Sequence, residues 1–325
     1  MSAGRRAALP FVALLPLLLA GGGCGGDRKK IVAVIPKGTS HIFWVSVQAG
    51  ALAAGREFGI EILWNGPPTE TEYSRQIQIV DSMIARRVDG IVVAAADRKA
   101  LVGPIERATA AGIPVTVFDS GLDSDKYMSY VATNNYEAGQ MGARALGGLL
   151  GGKGKAAVVL HLPGSASTMD RERGFDDVMA AEFPNIRIVA RQFGMSDRAK
   201  AMAAAENMAT AHPDLDGMFA STEPSSTGAI LALKGRGLAG KVKFVAFDSN
   251  EAMIEDLRAG NYHAMVVQDP FGMGYQAVKT VADKLRGGSP PKRMDLKARV
   301  IRPEDLNKPD VKTLLAPDIN KYLNP

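Results

Sequence analysis

Short runs of β-branched and aliphatic residues recur along this chain, each bounded by turn residues and followed by a helical stretch, and they leave little freedom in its fold. Ile31 to Pro36 (IVAVIP) is one such run. Ile42 to Gly59 reads as a helix closed by a glycine, and Glu61 to Asn65 as a second strand. In the next helix Tyr73, Ile77, Val80 and Ile84 stand at offsets of 4, 7 and 11, one face of a 3.6-residue period. Val88 to Ala95 is a third strand, Leu101 to Ala111 a third helix, and Ile113 to Phe118 a fourth strand. Strands that are apolar throughout are buried on both faces, so the pattern predicts a parallel sheet covered by helices on each side.

The second half repeats the scheme. Strands are expected at Lys155 to Leu162, Ile186 to Phe193, Gly217 to Ser221 and Val242 to Phe247. Between them Asp170 to Glu182, Asp197 to His212 and Thr227 to Lys234 read as helices. Two echoes point to duplication. Val88-Asp89-Gly90-Ile91 matches Leu215-Asp216-Gly217-Met218 at an offset of 127, and Phe118-Asp119-Ser120 matches Phe247-Asp248-Ser249 at 129. The fold class is therefore α/β with two similar lobes, which suits a length of 325 residues. Ligands of open α/β sheets sit beyond the carboxyl ends of the strands. Asp119 and Asp248 each close a strand there, one per lobe, so facing lobes bring two carboxylates to a shared cleft. The alternative is that each aspartate only caps a following helix.

The first 23 residues have the form of an export signal: Arg5 and Arg6 without an acid, an apolar run of 12 from Leu9 to Ala20, then three glycines. That run is shorter than the ~20 residues needed to cross a bilayer. The single cysteine, Cys24, follows directly and is a candidate for lipidation, with 24–30 as a polar tether holding the protein at a membrane in the periplasm or on the cell surface. The usual lipoprotein pattern has Leu three residues before the cysteine; here that residue is Gly21 and the nearest leucine is Leu19. Simple cleavage with Cys24 incidental is the alternative.

Several function classes are excluded. A net charge of +5, or +3 without Arg5 and Arg6, gives no basis for nucleic-acid binding, and one cysteine excludes a disulfide framework. Gly235-Arg236-Gly237-Leu238-Ala239-Gly240 fits G-x-G-x-x-G but follows a helix and precedes a strand, the reverse of the dinucleotide arrangement. Gly147 to Lys153 begins like a P-loop, yet Gly154 stands where Ser or Thr must hold a metal. His41, His161, His212 and His263 are scattered, and no nucleophile elbow is present. The chain offers no catalytic constellation, metal site or cofactor motif, so it reads as a binder and not an enzyme.

Further motifs occur in order: Ile35-Pro36-Lys37-Gly38, Phe43-Trp44 and Gly50; Gly112-Ile113-Pro114-Val115; Thr133-Asn134-Asn135; Arg171-Glu172-Arg173-Gly174-Phe175; His212-Pro213-Asp214; and Gln268-Asp269-Pro270. From 31 to about 290 the chain thereby resembles the ribose- and galactose-type solute-binding proteins of ABC importers, and Ile-Pro-Lys with Asn65-Gly66-Pro67 is similar to the branch that binds autoinducer-2. The resemblance implies two Rossmann-like lobes joined by three hinge strands, near Thr133, Gln268 and the Met294 region, with a sugar in the interlobe cleft. It implies an N-terminal lobe of 31–133 plus about 269–290, a C-terminal lobe of 134–268 plus about 291–304, and a tail of 305–325. The partners it implies are a small sugar and a permease with its ATPase, the protein itself being monomeric.

Site residues also follow from the resemblance. Phe43 and Trp44 match an aromatic pair suited to the C–H face of a sugar. Asp119 and Asp248 match acceptors for paired hydroxyls, Arg171 the sugar-clamping arginine, and Gln268 a hinge amide. Thr222-Glu223 stands where many relatives have Asn-Asp, and Ser40-His41-Ile42 where many have Asn-Asn-Pro. Lys37 is then a candidate replacement, the alternative being an exposed strand-end lysine, and a cleft with Lys37, His41 and Arg171 opens a lesser possibility of a phosphorylated or acidic sugar. Two rival readings remain. A repressor of the lac type needs roughly 60 residues of helix-turn-helix before the first strand, and only 30 precede Ile31. A receptor subunit that feeds a sensor instead of a permease is not separable by sequence.

Overall fold

In the computed structural model, which describes residues 28–323 together with 1, 3 and 4, the alternation resolves into two six-stranded sheets. The proposed leader and Cys24 lie outside the described residues. The first part of the chain runs β1 (Ile31–Ile35), α1 (Ile42–Phe58), β2 (Glu61–Trp64), α2 (Tyr73–Ala85), β3 (Gly90–Val93), α3 (Val102–Ala110), β4 (Val115–Phe118) and β5 (Ser129–Thr133). The second runs α4 (Asn135–Leu149), β6 (Lys153–Leu160), α5 (Ala166–Glu182), β7 (Asn185–Phe193), α6 (Arg198–Ala211), β8 (Gly217–Ala220), α7 (Glu223–Gly235), β9 (Lys243–Phe247), α8 (Glu251–Arg258) and β10 (Ala264–Val267). The chain then continues through α9 (Pro270–Leu285), β11 (Arg293–Leu296), β12 (Arg299–Ile301), α10 (Pro309–Leu315) and α11 (Asn320–Leu323).

The strand orders are β11-β5-β4-β3-β1-β2 and β12-β10-β9-β8-β6-β7, the same order twice. Every neighbouring pair is parallel except β10 and β12. The internal strands β3, β4, β8 and β10 are buried at every position, as continuous apolar runs require. The first echo has a shared cause. Asp89 Oδ2 accepts from the Ile31 N–H at 2.9 Å, and Asp216 Oδ2 from the Lys155 N–H at 2.8 Å. In each lobe the same aspartate ties the start of one strand to the start of its neighbour.

Three details depart from the sequence reading. The buried stripe of α2 is Gln76, Ile79, Val80 and Met83, while Tyr73 is exposed. Gln76 is internal because its amide bonds the carbonyls of Pro36 and Ala94 and the N–H of Ala96, which no hydrophobic period reveals. Helices α5 and α7 begin at Ala166 and Glu223, four residues before the expected Asp170 and Thr227. The α7 first turn contains Pro224 and two buried serines and so carries no apolar period.

The third change of sheet also falls later than expected. The resemblance implies that the stretch from about 291 belongs to the C-terminal lobe, but β11 pairs in parallel with β5 in the first sheet. The chain reaches the second sheet only at β12, which pairs with β10. Residues 305–325 are not simply a surface tail either. Val311 of α10 is fully buried in the core of the second lobe, whereas Arg56 of α1 donates to the carbonyls of Lys321 and Tyr322 in α11.

Candidate ligand-binding cleft

The carboxyl ends of the two sheets face each other, and the polar side chains gathered there come from equivalent strands. Lys37 follows β1 and His161 follows β6; Asp119 follows β4 and Asp248 follows β9. Both aspartates have left-handed backbone, with φ of 56° and 64°. Asp tolerates that region better than most residues with a Cβ, and the conformation turns the chain sharply at the strand end. Each donates its N–H to the neighbouring strand, Asp119 to Val131 O at 3.0 Å and Asp248 to Val266 O at 2.8 Å. Neither caps the helix that follows it. No helix separates β4 from β5, and α8 is capped by Asn250, whose Oδ1 accepts from the Met253 N–H at 2.8 Å.

Arg171 is 2% exposed on α5 and is held from three sides. Its Nη1 donates to the Ser221 carbonyl, its Nη2 to Asn135 Oδ1 at 2.7 Å, and its guanidinium lies 3.5 Å from the centre of the Phe247 ring. Close contact between α4 and α5 makes this possible: a Cβ on Gly139 would lie 1.8 Å from the Arg171 carbonyl, and one on Gly174 would lie 2.1 Å from that of Tyr136. The glycine of the Arg-x-x-Gly-Phe motif is thus a packing requirement, and Phe175 beside it stacks on Phe219 at 4.3 Å. Arg173 points elsewhere, paired with Asp170 at 3.0 Å with its side chain 62% exposed.

The first lobe supplies an aromatic wall and a buried ion cluster. Phe43 and Trp44, in the first turn of α1, meet edge to face at 5.0 Å. The Trp44 Nε1–H donates to Glu70 Oε1 at 2.9 Å. Lys37 Nζ lies 3.1 Å from Asp119 Oδ2 and 3.7 Å from Glu70 Oε2, and it reaches Ser165 and Ser167 of the opposite lobe at 3.3 Å. From the second lobe, His161 Nε2 meets Glu70 Oε2 at 3.1 Å. His41 also crosses, with Nε2 3.1 Å from the Ser196 hydroxyl. Gln268 in the hinge donates to Asp248 Oδ1 at 2.8 Å, and the Glu223 N–H to Asp248 Oδ2 at 3.2 Å. Glu223 takes Arg198 at 2.7 Å, and Thr222 is the N-cap residue of α7.

Burial shapes the charges here. It pulls the Lys37 ammonium down, but the carboxylates of Asp119 and Glu70 outweigh it and hold Lys37 above the ordinary lysine range. Burial pushes Glu70 up; Lys37 and the His161 ring outweigh it and keep Glu70 far below the usual carboxylate range. His161 is lowered by burial and is neutral at pH 7. Asp248 is raised, because burial exceeds the attraction of Arg171.

Buried polar atoms are nearly always hydrogen-bonded. Among the described residues, Arg171 Nε, Glu223 Oε2 and Gln268 Oε1 have no hydrogen-bond partner, and Asp119 Oδ2 has only its ion-pair contact with Lys37. All four belong to residues that line one cavity, which also touches Phe43 and Trp44; a fifth such atom, Thr133 Oγ1 at the end of β5, lies outside it. Its volume is about 30 Å³, room for one or two waters, so the lobes are closed tightly and must part before a larger ligand enters.

Lys37, His41, Phe43, Trp44, Asp119, Arg171, Thr222, Glu223, Asp248 and Gln268, scattered over more than two hundred residues of sequence, all line this cavity. Sequence reasoning missed Glu70, His161, Ser167, Thr168 and Pro224. His161 was within reach: it ends β6 as Asp119 ends β4, and the strand-end rule that selected the aspartates selects it too. Glu70, in a loop after β2, carries no local signal.

The family model described as a periplasmic binding protein domain matches residues 32–289. The chain belongs to that family. This periplasmic binding protein is 30% identical over 280 residues to the D-ribose/D-allose-binding protein of Pseudomonas aeruginosa, covering 82% of this chain and 86% of that one. It is 26% identical over 263 residues to the ribose import binding protein of Bacillus subtilis, covering 81% and 84%. Among solved structures it superposes on a carbohydrate transporter solute-binding protein of Agrobacterium radiobacter in complex with D-arabinose, with a TM-score of 0.86 and 28% identity over 89% of this chain and 100% of that one. A solute-binding protein of Agrobacterium vitis with bound D-fucose gives 0.85 and 33% over 88% and 100%.

Proposed function

We propose that this protein captures a neutral monosaccharide, a pentose, hexose or related sugar, by closure of the two lobes and delivers it unchanged to an ABC importer. The observation that carries the reading is the pairing of an aromatic wall, Phe43 and Trp44, with buried polar atoms of Arg171, Glu223 and Gln268 that lack partners. A sugar has an apolar C–H face and a hydroxylated rim that answer to both. Relatives bearing ribose, allose, arabinose and fucose in their names or complexes support the same class.

Charge favours a neutral ligand over a phosphorylated or acidic one. Lys37 already faces two carboxylates, Arg171 is engaged by Ser221 and Asn135, and Glu70, Asp119, Glu223 and Asp248 outnumber the two cations. An added anion meets more repulsion than attraction there.

The mature protein acts as a monomer, without a cofactor, and is held at the membrane through lipidated Cys24; the basic start, the apolar run and the place of the only cysteine support the anchor. A thermal-shift screen over neutral pentoses, hexoses and deoxysugars, autoinducer-2 and sugar phosphates tests the central reading. A ligand at 100 times its Kd adds about 2.7 kcal/mol of stability. A shift with sugar phosphates alone refutes the neutral assignment. Recovery of a chemically altered sugar refutes the binding-only role, and an unmodified Cys24 thiol in membrane-extracted protein refutes the anchor.

A further inference from the structure

The loop between β2 and α2 is built to carry one side chain into the cleft. Asn65-Gly66-Pro67-Pro68 folds back on the segment after β1, and two glycines allow the approach. A Cβ on Gly66 would lie 2.6 Å from the Pro36 ring, and one on Gly38 would lie 3.1 Å from Glu70 Cγ and 3.2 Å from its backbone nitrogen. The result is a glutamate only 5% exposed, with a carboxylate that serves both lobes. Oε1 accepts from Trp44, the cleft's aromatic wall, at 2.9 Å. Oε2 lies 3.1 Å from His161 Nε2, on the opposite lobe.

The line continues past the histidine. His161 Nδ1 is 3.2 Å from Thr222 Oγ1, the hydroxyl of the N-cap residue of α7. An ionised carboxylate only accepts, so the neutral imidazole carries its hydrogen on Nε2 and leaves Nδ1 to accept from Thr222. Glu70 and His161 are 91 residues apart in the chain and meet only where the lobes meet.

We propose that Glu70 is an interlobe positioning residue: it orients the Trp44 indole and, on closure, locks it to the second lobe through His161. This rests on the sugar-binding reading, since the readout is sugar affinity. A brace internal to the first lobe would serve Trp44 equally well but would be indifferent to His161.

The test is a double-mutant cycle on the mature protein, titrated calorimetrically with D-ribose, D-allose, D-arabinose and D-fucose. Glu70→Ala and His161→Ala each weaken the best-bound sugar about tenfold to a hundredfold, because each strands a buried partner. Residues joined by one interaction couple, so the double variant is no weaker than the worse single one. Glu70→Gln, which keeps one acceptor oxygen, recovers part of the loss. In a Trp64→Phe background Trp44 is the single tryptophan, and its sugar-induced emission change is at least halved in His161→Ala. Fully additive losses, or an unaltered Trp44 response in His161→Ala, overturn the proposal while leaving sugar binding intact. If Glu70→Ala fails to fold, the same cycle runs on Glu70→Gln, and additivity there overturns it equally. Wild-type protein that binds none of the sugars overturns the sugar reading and this inference with it.

Discussion

Arg171 and Arg173 lie two residues apart on one helix, and the structure assigns them opposite fates. Replacing Arg171 with Met keeps most of the buried volume while removing every donor. Asn135 Oδ1 and the Ser221 carbonyl then lose the guanidinium. A stranded buried acceptor costs about 1–3 kcal/mol. The contact with Phe247 is lost as well, and such cation–π contacts are worth about 2 kcal/mol when desolvated. Against these stands relief of the desolvation carried by a buried guanidinium, of order several kcal/mol. The net expectation for Arg171→Met is a destabilisation of about 2–4 kcal/mol, seen as a fall in melting temperature of about 5–10 °C. Sugar affinity falls as well, by about tenfold to a few hundredfold, because the cleft loses Arg171 Nε, a buried donor with no protein partner that a sugar oxygen can take. Arg173→Ala loses only an exposed pair with Asp170 and a surface contact with Tyr136, so its effect on stability is below about 1 kcal/mol and its effect on affinity is nil. Thermal unfolding followed by circular dichroism, with calorimetric titration of the same samples, reads both quantities. An Arg171→Met protein that melts and binds like wild type refutes the assignment, as does an Arg173→Ala protein that loses binding.

Three more outcomes follow from the same geometry. Asp119→Ala and Asp248→Ala each weaken sugar binding by about tenfold to a few hundredfold, because a ligand group loses a buried, charged acceptor; titration of folded variants that bind like wild type reduces the two aspartates to turn formers. Lobes joined by three hinge segments must part to admit a sugar and then close around it, so small-angle scattering is expected to show a smaller radius of gyration at saturation than in the open, sugar-free protein; an unchanged profile means a rigid cleft. The native His161 ring is held below its ordinary value by burial, so the native state binds fewer protons than the unfolded chain as pH falls through about 6.5. Stability attributable to His161 is present above that pH and lost below it, and the wild-type melting temperature drops more between pH 7 and 5 than that of His161→Asn; equal slopes contradict the buried neutral ring.

Much of this protein was legible locally. A strand buried on both faces is apolar along nearly its whole length, so β1, β3, β4, β8 and β9 announce themselves within a few residues. The equivalence of the lobes was visible through Asp119 and Asp248, because a duplicated fold repeats its strand-end turns. Of the ten cleft residues, Asp119 and Asp248 came from such turns; the other eight came from the resemblance to ribose- and galactose-type solute-binding proteins, including Thr222 and Glu223, although their helix was expected to start later. The first turns of α5 and α7 were missed because buried serines and a proline satisfy the backbone and cleft there without an apolar period. Gln76 was missed for a related reason: its amide takes three backbone groups from segments 18 to 40 residues away. Tertiary structure alone decided the placement of β11, since a short strand such as Arg293–Leu296, only partly buried, pairs with whichever edge the hinge presents. It alone brought Glu70 to His161. Local sequence sets backbone preference and which face is apolar; which two buried polar groups satisfy each other across 91 residues depends on how the lobes close.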